Sequence, residues 1–185
     1  TSGRVVDVTG GELIINGGTI TTEGMAKTGS AVYIGGSGKV TMSGGKVHAD
    51  NADNKAENNA VNVKNGSFTM EDGEITADSN GAETNINAIG GSSGTSVTIE
   101  GGQVTGPTAI TAPFATTTIS GGTFIGAVTV KAKSISGGTF SQPVSLDACA
   151  DGFVPKKMDE NTYGVKEGSV SGVIIERDGA TLSYT

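Results

Sequence analysis

The chain has no tryptophan, one cysteine and four prolines, and aromatic residues make up only 4% of its 185 positions. No segment approaches the roughly 20 consecutive apolar residues that span a membrane, so we expect no membrane insertion. The single cysteine, Cys149, excludes an internal disulfide and is interpreted as a small buried residue. Four prolines among 31 glycines, without a three-residue period, exclude collagen.

Basic residues are also few, with 12 Lys and Arg against 19 Asp and Glu and a net charge of −7. Binding to a phosphate backbone needs basic patches, so we expect no nucleic-acid partner. The length suits one domain with a small appendage. Because the chain opens at Thr1 with neither Met nor a signal peptide, we expect it to be a piece of a longer protein.

What the chain does contain is a repeat. The six letters ISGGTF occur at Ile119 and again at Ile135, and looser copies centred on a Gly-Gly pair precede them. The first position of each pair falls at 17, 44, 72 (an Asp), 101, 121 and 137, so the intervals are 27, 28, 29, 20 and 16. A repeat with a variable interval is typical of a solenoid whose loops differ in length.

Each repeat unit is expected to hold three short strands, since β-branched residues alternate with polar ones and no helical period is sustained. Gly-Gly separates the second strand from the third, because glycine tolerates a positive φ. Strands that always travel the same way round stack in parallel. The sequence therefore predicts an all-β fold, a single-stranded right-handed parallel β-helix of about six coils.

The predicted β-helix has three internal ladders of stacked side chains. They comprise Val32, Ile34, Val61, Val63, Ile110, Val128 and Val130; then Met42, Met70, Ile99, Ile119 and Ile135; then Val47, Ile75, Val104, Phe124 and Phe140. The segment 85–94 does not fit this scheme, because either Asn87 or Ala88 would point inward. Outside, Thr41, Thr69, Thr98 and Thr118 form a threonine ladder, which cross-strand stacking explains without ice binding.

The tail lacks the Gly-Gly pair and reads as two hairpins. Phe153–Lys156 is expected to pair with Thr162–Val165, and a second hairpin turns at Asp178-Gly179, a type I′ signal. An open β-helix end exposes unpaired strand edges, so this tail is predicted to be a C-terminal β-hairpin cap. We therefore divide the chain into a parallel β-helix, 1–146, and capping hairpins, 147–185.

The stretch from Gly137 to Val165, "GGTFSQPVSLDACADGFVPKKMDENTYGV", resembles the Gly-rich β-helical repeats of adhesin-like surface proteins from Gram-positive gut bacteria, members of the pectin-lyase-like superfamily. The looser repeats extend this resemblance to about residue 5. It implies the β-helix fold and an extracellular location, secreted or attached to the cell wall. The acid-rich loops within 50–85 follow no pattern of that family.

Two readings of function remain open. The superfamily that the chain resembles also contains polysaccharide lyases and glycoside hydrolases, which use clustered acidic residues on one outer face. Here Glu71 and Glu100 occupy equivalent positions of adjacent coils, a spacing of about 5 Å that suits a retaining glycosidase pair. The alternative is a pair of solvated corner carboxylates, with Lys46 and Glu74 as a stacked ion pair. Arg4 and Arg177 are the only arginines, and neither lies in the coils, which argues against a lyase.

Three loops, 21–30, 48–59 and 77–85, are expected to lie side by side on one edge, either as solvated turns or as a binding surface. Candidate binding residues there are Asp50, Asn51, Asp53, Asn54, Glu57 and Asp78. Their hard oxygen ligands would suit calcium, with Asp50, Asp53 and Glu57 as ligands; no other cofactor is indicated. His48 begins the second loop and is expected to be exposed. Tyr33 is the one outward aromatic residue expected in the coils.

The interpretation that follows is a non-catalytic, adhesin-like β-solenoid module of a bacterial cell surface, a stalk that displays loops to a glycan or a host protein. The alternative is a carbohydrate-active enzyme of the pectin-lyase-like superfamily, either a polysaccharide lyase or a glycoside hydrolase.

Overall fold

The computed structural model describes residues 3–23, 29–50, 59–78, 86–168, 174–177 and 180–183, the last two segments by their backbone only. The strands are β1 Gly3–Val8, β2 Glu12–Thr21, β3 Gly29–Ile34, β4 Lys39–Asp50, β5 Val61–Val63, β6 Ser67–Asp78, β7 Asn87–Gly91, β8 Ser96–Ile99, β9 Gln103–Ala112, β10 Thr116–Ile119, β11 Thr123–Val130, β12 Thr139–Phe140, β13 Phe153–Asp159, β14 Thr162–Glu167, β15 Ile174–Arg177 and β16 Ala180–Ser183. The described residues hold no α-helix, only a 3-10 turn at Leu146–Ala148, and hence no helix able to cross a membrane.

Fourteen strands form one large sheet, in the order β1-β3-β5-β7-β9-β11-β12-β14-β13, with β2, β4, β6, β8 and β10 pairing alongside. Every pairing among β1 to β12 is parallel, and the sheet is mostly parallel and not closed on itself. The all-β prediction is confirmed. Each parallel neighbour lies one repeat away in sequence, and we call each such repeat a rung.

The register places equivalent residues of successive rungs side by side. Met42 pairs with Met70, Met70 with Ile99, and Ile99 with Ile119, which bridges to Ile135. The ladder from Val47 to Phe140 has the predicted order, and its two rings Phe124 and Phe140 stack with centroids 4.9 Å apart. These ladders form one continuous buried core. In the remaining ladder Val128 and Val130 are only half-buried, at the C-terminal end.

The segment that the sequence left open has a definite register. Ile89 pairs with Val61 on one side and with Ile110 on the other, and both it and Ala88 are fully buried. Asn87 is half-buried and donates a side-chain hydrogen bond to Asn59 (3.0 Å), while its Oδ1 accepts one from Thr111 (2.7 Å). Paired polar groups therefore replace the apolar contact that this position lacks.

The prediction of three separate strands in every unit is wrong for the first three units. There, β2, β4 and β6 run straight through the Gly-Gly pair, and the ladder is interrupted only by register shifts at that point. The register is the same before and after the pair, because both strands place four steps between the flanking pairs, so the irregularity stays local and the sheet continues. In the later units the pair does separate strands, as between β8 and β9 or β10 and β11.

At the C-terminal end the pairing changes direction. β14 pairs antiparallel with β12, Thr139 opposite Gly164, and β13 pairs antiparallel with β14. The predicted hairpin is present and longer than expected, since it extends to Asp159 and to Glu167. β15 and β16 form a separate antiparallel pair, which agrees with the second predicted hairpin. The pairing of β12 with β14 joins residues on both sides of the predicted boundary at 146.

Candidate functional site

The acidic candidates for catalysis lie on the outside of the Gly-Gly corner, the line formed by the stacked pairs at 17–18, 44–45, 72–73, 101–102, 121–122 and 137–138. The Glu100 N–H donates to the carbonyl of Met70 (2.8 Å), which places Glu100 beside Glu71 on the adjacent rung. Both side chains are exposed, as is Asp72, whose Oδ1 accepts from the N–H of Gly73 (2.7 Å). The register is therefore the expected one, with both glutamates in solvent.

The polar residues next to this corner pair with one another across rungs. Lys46 and Glu74 form the expected ion pair, with Nζ 3.2 Å from Oε1 and both side chains two-fifths exposed. The threonine ladder is also present, since Thr41, Thr69, Thr98 and Thr118 pair in order. An exposed ion pair of this kind contributes little to stability. These residues thus give the surface a regular pattern and no chemistry of their own.

The three predicted loops leave the sheet from one line of residues. The hydroxyl of Thr22 donates to the carbonyl of Asp50 (3.2 Å) and accepts from its N–H (2.9 Å), and Asp50 pairs in register with Asp78. Thr22 is buried, although it is polar, because both bonds satisfy its hydroxyl. Stacking therefore fixes the bases of the loops side by side. The loop centres, 24–28, 51–58 and 79–85, lie outside the described residues.

The expectation that His48 is exposed is wrong. Its side chain is 18% accessible, and its Nδ1 lies 2.7 Å from the Thr76 hydroxyl on the next rung, while Nε2 lies 3.9 Å from an Asp78 carboxylate oxygen. The outward position pairs His48 with Thr21 on one side and Thr76 on the other. The side chains of Thr21 and Thr76 therefore flank the imidazole ring and cover most of it.

The calcium prediction falls mainly on residues that the structure does not describe. Asn51, Asp53, Asn54 and Glu57 lie outside the described residues, which leaves Asp50 and Asp78 at the loop bases. Within the described ranges, no three His, Cys, Asp or Glu side chains are placed together to hold a metal ion. The calcium site therefore stays a prediction that depends on the 51–58 loop.

Tyr33, the aromatic residue expected to offer a flat outward surface, is half-buried. The guanidinium carbon of Arg4 lies 3.3 Å from the centre of its ring, and Arg4 is also bonded to Asp7 (2.6 Å). Cation–π stacking of this kind occupies one ring face. Tyr33 is thus engaged within the protein at the first two rungs.

Among the described residues, the aromatic side chain that is exposed is that of Phe114, which the sequence analysis did not select. Its side chain is 75% exposed in the turn between β9 and β10, at the corner that joins the first strand of each rung to the second. The signal was present in the sequence, because "TAPFATT" places Phe where the other rungs carry Gly, Ser or Asn in their turns. Proline ahead of it fixes the turn and directs the ring outward.

Two cavities lie at the C-terminal end, where the last rung meets the hairpin. One, of about 260 Å³, has a mixed lining that includes Val128, Phe140 and Gln142. The other, of about 460 Å³, is lined by Lys133, Asp151 and Phe153 among others, and Lys133 Nζ lies 2.8 Å from Asp151 Oδ1. Neither cavity includes Glu71 or Glu100.

Cys149 lies beside the second cavity and is 5% exposed, as expected for a small buried residue. Burial raises the pKa of its thiol, because an apolar environment disfavours the thiolate. Its Sγ lies 3.4 Å from the carbonyl oxygen of Ser145. A protonated thiol is a poor nucleophile, so the surroundings of Cys149 fit a structural role.

Comparison with known proteins finds no matching family model, no matching curated protein and no matching solved structure.

Proposed function

We propose that the chain is a single-stranded right-handed parallel β-helix of about six coils, closed at its C-terminal end by the β13–β14 hairpin. Three lines of stacked residues support this arrangement, since successive rungs place equivalent residues side by side in each internal ladder. Six successive strands, from β1 through β3, β5, β7 and β9 to β11, pair in parallel. Crossovers between parallel strands are almost always right-handed, and the proposed right-handed twist of the β-helix rests on this rule.

On this scaffold, we propose a non-catalytic module of a bacterial cell surface that displays loops to a glycan or a host protein. The observation that carries the proposal is the common base of the three loops. Thr22, Asp50 and Asp78 follow one another across three rungs, so loops of different sequence emerge from one edge. The resemblance of Gly137 to Val165 to adhesin-like surface proteins supports an extracellular, secreted or wall-attached location.

A carbohydrate-active enzyme is the second candidate, because Glu71 and Glu100 stand on adjacent rungs, about 4.8 Å apart in the backbone. A retaining pair needs one carboxylate to hold its proton near neutral pH, which a desolvating groove would provide. Both carboxylates are exposed instead, and neither lines a described cavity. This arrangement favours display over catalysis.

The test is to incubate the domain with pectin, plant and host-type glycans, measuring both binding and release of reducing ends. The double variant Glu71→Gln, Glu100→Gln serves as comparison, and Glu160→Gln in the hairpin turn is the matched exposed control. We expect binding without cleavage in all three proteins. Cleavage by the parent that only the double variant loses would overturn the non-catalytic proposal.

The same variants give a stability prediction. Like charges one rung apart repel, so the double variant should unfold at the same temperature as the parent or slightly higher. Thermal unfolding followed by circular dichroism measures this. A fall of several degrees, absent from the Glu160→Gln control, would show that the two carboxylates are held in a structured site.

A further inference from the structure

The acidic and basic side chains of this chain lie at different corners of the stacked rungs. We call the turns that lead from the first strand of each rung to the second, 35–38, 64–66, 92–95, 113–115 and 131–134, the basic corner. These turns carry three lysines and no Asp or Glu, whereas the Gly-Gly corner carries Glu71, Asp72 and Glu100. In a protein with a net charge of −7, lysine is thus the only charged residue type within these turns, while Glu12 and Asp151 border them.

Two of the three lysines have no ion-pair partner in the part of the chain that the structure describes. Lys64 and Lys131 are exposed, and neither forms an ion pair within the described residues; Lys133 is neutralised by Asp151 at 2.8 Å. Val130 pairs in register with Ala112, so Lys131 follows on the rung next to Pro113. Lys64 lies on the same edge, two rungs from Pro113 and on the side away from Lys131. Val63 pairs with Gly91, whose rung is next to that of Pro113.

Phe114 stands between these two lysines along the edge. Its ring is 75% exposed and makes no stacking contact with another ring of the described residues. Exposing a phenyl ring forgoes the burial energy that a core position would provide, and it leaves the flat face of the ring open to stack on a ligand. A flat aromatic face flanked by unpaired ammonium groups suits a ligand with an apolar ring face and negative charges.

We propose that the basic corner binds an acidic polysaccharide, with Phe114 under one sugar ring and Lys64 and Lys131 paired with carboxylate or sulfate groups on either side. The two lysines are three rungs apart, roughly 14 Å in the backbone, so they contact different sugars of one chain. This inference rests on the glycan arm of the proposed function and moves the glycan site from the loops to a different corner.

Nucleic acid fits this edge less well. Its charge density requires several basic groups to bind together, and arginine is the side chain that best matches phosphate. The basic corner has no arginine and two lysines without an ion pair among the described residues, and the rest of the chain has more acidic than basic residues. A polysaccharide that carries one charge on every sugar, or on every second sugar, matches the wide spacing of these lysines better. Asp147, one rung beyond Lys133, ends the positive edge.

The experiment is affinity electrophoresis and calorimetry with polygalacturonate and chondroitin sulfate, with neutral dextran and an oligothymidylate as further probes. Variants are Phe114→Ala, Lys64→Gln and Lys131→Gln. Lys156→Gln in the hairpin is the matched control, because Lys156 is also exposed and has no ion pair in the described part of the chain. All four positions are exposed, so thermal unfolding should match the parent and confirm that each variant is folded.

We expect the parent to bind at least one acidic polysaccharide and not dextran. Phe114→Ala and Lys131→Gln should each weaken binding about fivefold and Lys64→Gln somewhat less, while Lys156→Gln leaves binding unchanged. Raising the salt concentration should weaken binding of the parent, since exposed charges are screened.

Four results would overturn the inference, and three of them come directly from the binding measurements. These three are no binding to either acidic polysaccharide, equal losses in Lys156→Gln and Lys131→Gln, or oligothymidylate binding as tight as that of the polysaccharides. If the parent binds polysaccharide and all three corner variants keep full affinity, the basic corner is excluded and the loop edge remains as the proposed binding site. Cleavage of a polysaccharide would instead overturn the proposed function itself.

Discussion

A methyl group added at Gly101 would lie 2.2 Å from the carbonyl oxygen of Glu71 on the adjacent rung, and one at Gly121 would lie 2.0 Å from that of Glu100. The second glycine of the pair has a different constraint, because Gly102 and Gly122 adopt a positive φ. The repeated Gly-Gly thus has two separate causes. Close approach of the neighbouring backbone excludes a side chain at Gly101 and Gly121, and a positive φ together with close approach favours glycine at Gly102 and Gly122.

This distinction predicts different costs for the same substitution on different rungs. Gly101→Ala should lower the free energy of unfolding by about 2 kcal/mol or more, because the methyl group forces two rungs apart. Gly17→Ala occupies the same motif position, yet nothing lies within 4 Å of its added methyl group, so it should be close to neutral. Urea unfolding of both variants measures the difference, and equal costs would contradict the close-approach account.

A buried hydroxyl offers a second test at this scale. Thr117 occupies the ladder that continues Phe68 and Val97, and its Oγ1 has no hydrogen-bond partner in the part of the chain that the structure describes. Replacing it with valine removes an unsatisfied polar group and keeps the shape, so Thr117→Val should raise the free energy of unfolding by about 1 kcal/mol. Its neighbour Thr118 is exposed, and Thr118→Val is the control.

Denaturant unfolding of the two valine variants gives the result. A higher free energy of unfolding in Thr117→Val, and not in Thr118→Val, would confirm that the Thr117 hydroxyl lacks a hydrogen-bond partner. A loss of stability in Thr117→Val would show instead that a partner, such as a bound water, satisfies this group.

At the scale of elements, the β13–β14 hairpin covers the last parallel strand. β14 pairs with β12 next to Phe140, and Tyr163 packs against the core. A chain ending at Cys149 would expose this strand edge and the Phe124–Phe140 stack. We expect it to unfold at a markedly lower temperature and to associate as its concentration rises, because open edges recruit other chains.

A chain ending at Gly168 is the matched control for that truncation. It removes only residues beyond the hairpin, and β15 and β16 pair with each other and not with the large sheet. Its unfolding temperature should equal that of the parent. Calorimetry and sedimentation of both truncated chains would contradict a capping hairpin if the two lost stability equally.

The sequence predicted the ladders correctly because alternation and the Gly-Gly alignment set the register of each rung independently. Met42, Met70 and Ile99 could be placed side by side without coordinates. The fused strands could not be predicted, since a bulge and a turn have the same Gly-Gly signature. Ile89 was not identified as the core residue of its rung because Asn87 and Gly90 interrupt the alternation. The hydrogen bonds of Asn87 with Asn59 and Thr111 join different rungs, so the sequence of one rung does not show them.

The candidate site was less predictable from sequence than the fold. The pairing of Glu71 with Glu100 followed from the repeat, but their exposure depends on how the corner faces solvent. The covering of Tyr33 by Arg4 and of His48 by Thr76 joins residues of different rungs, which periodicity alone does not give. Phe114 was overlooked because apolar residues are expected inside, whereas a turn that begins with proline directs this one outward.

At the scale of the whole molecule, stacking explains both the small core and the sorted surface. Each rung buries only a few side chains, and the ladders join them into one continuous core, so 35% apolar residues suffice. The same stacking aligns outward residues along edges, with loops on one, carboxylates on another and lysines with Phe114 on a third. Proposals about binding therefore concern edges, and each depends on the rungs being stacked in order.

The stacking order is tested most directly by one distance. Ile14, Thr41, Thr69, Thr98 and Thr118 pair in succession, so Ile14 and Thr118 should be four rungs apart, about 19 Å in the backbone. Both side chains are exposed and accept spin labels through cysteines, in a background where Cys149 is replaced by alanine. Pulsed electron resonance should give one narrow distribution near that separation once the label linkers are allowed for; a broad distribution, or one centred far beyond it, would contradict the proposed β-helix.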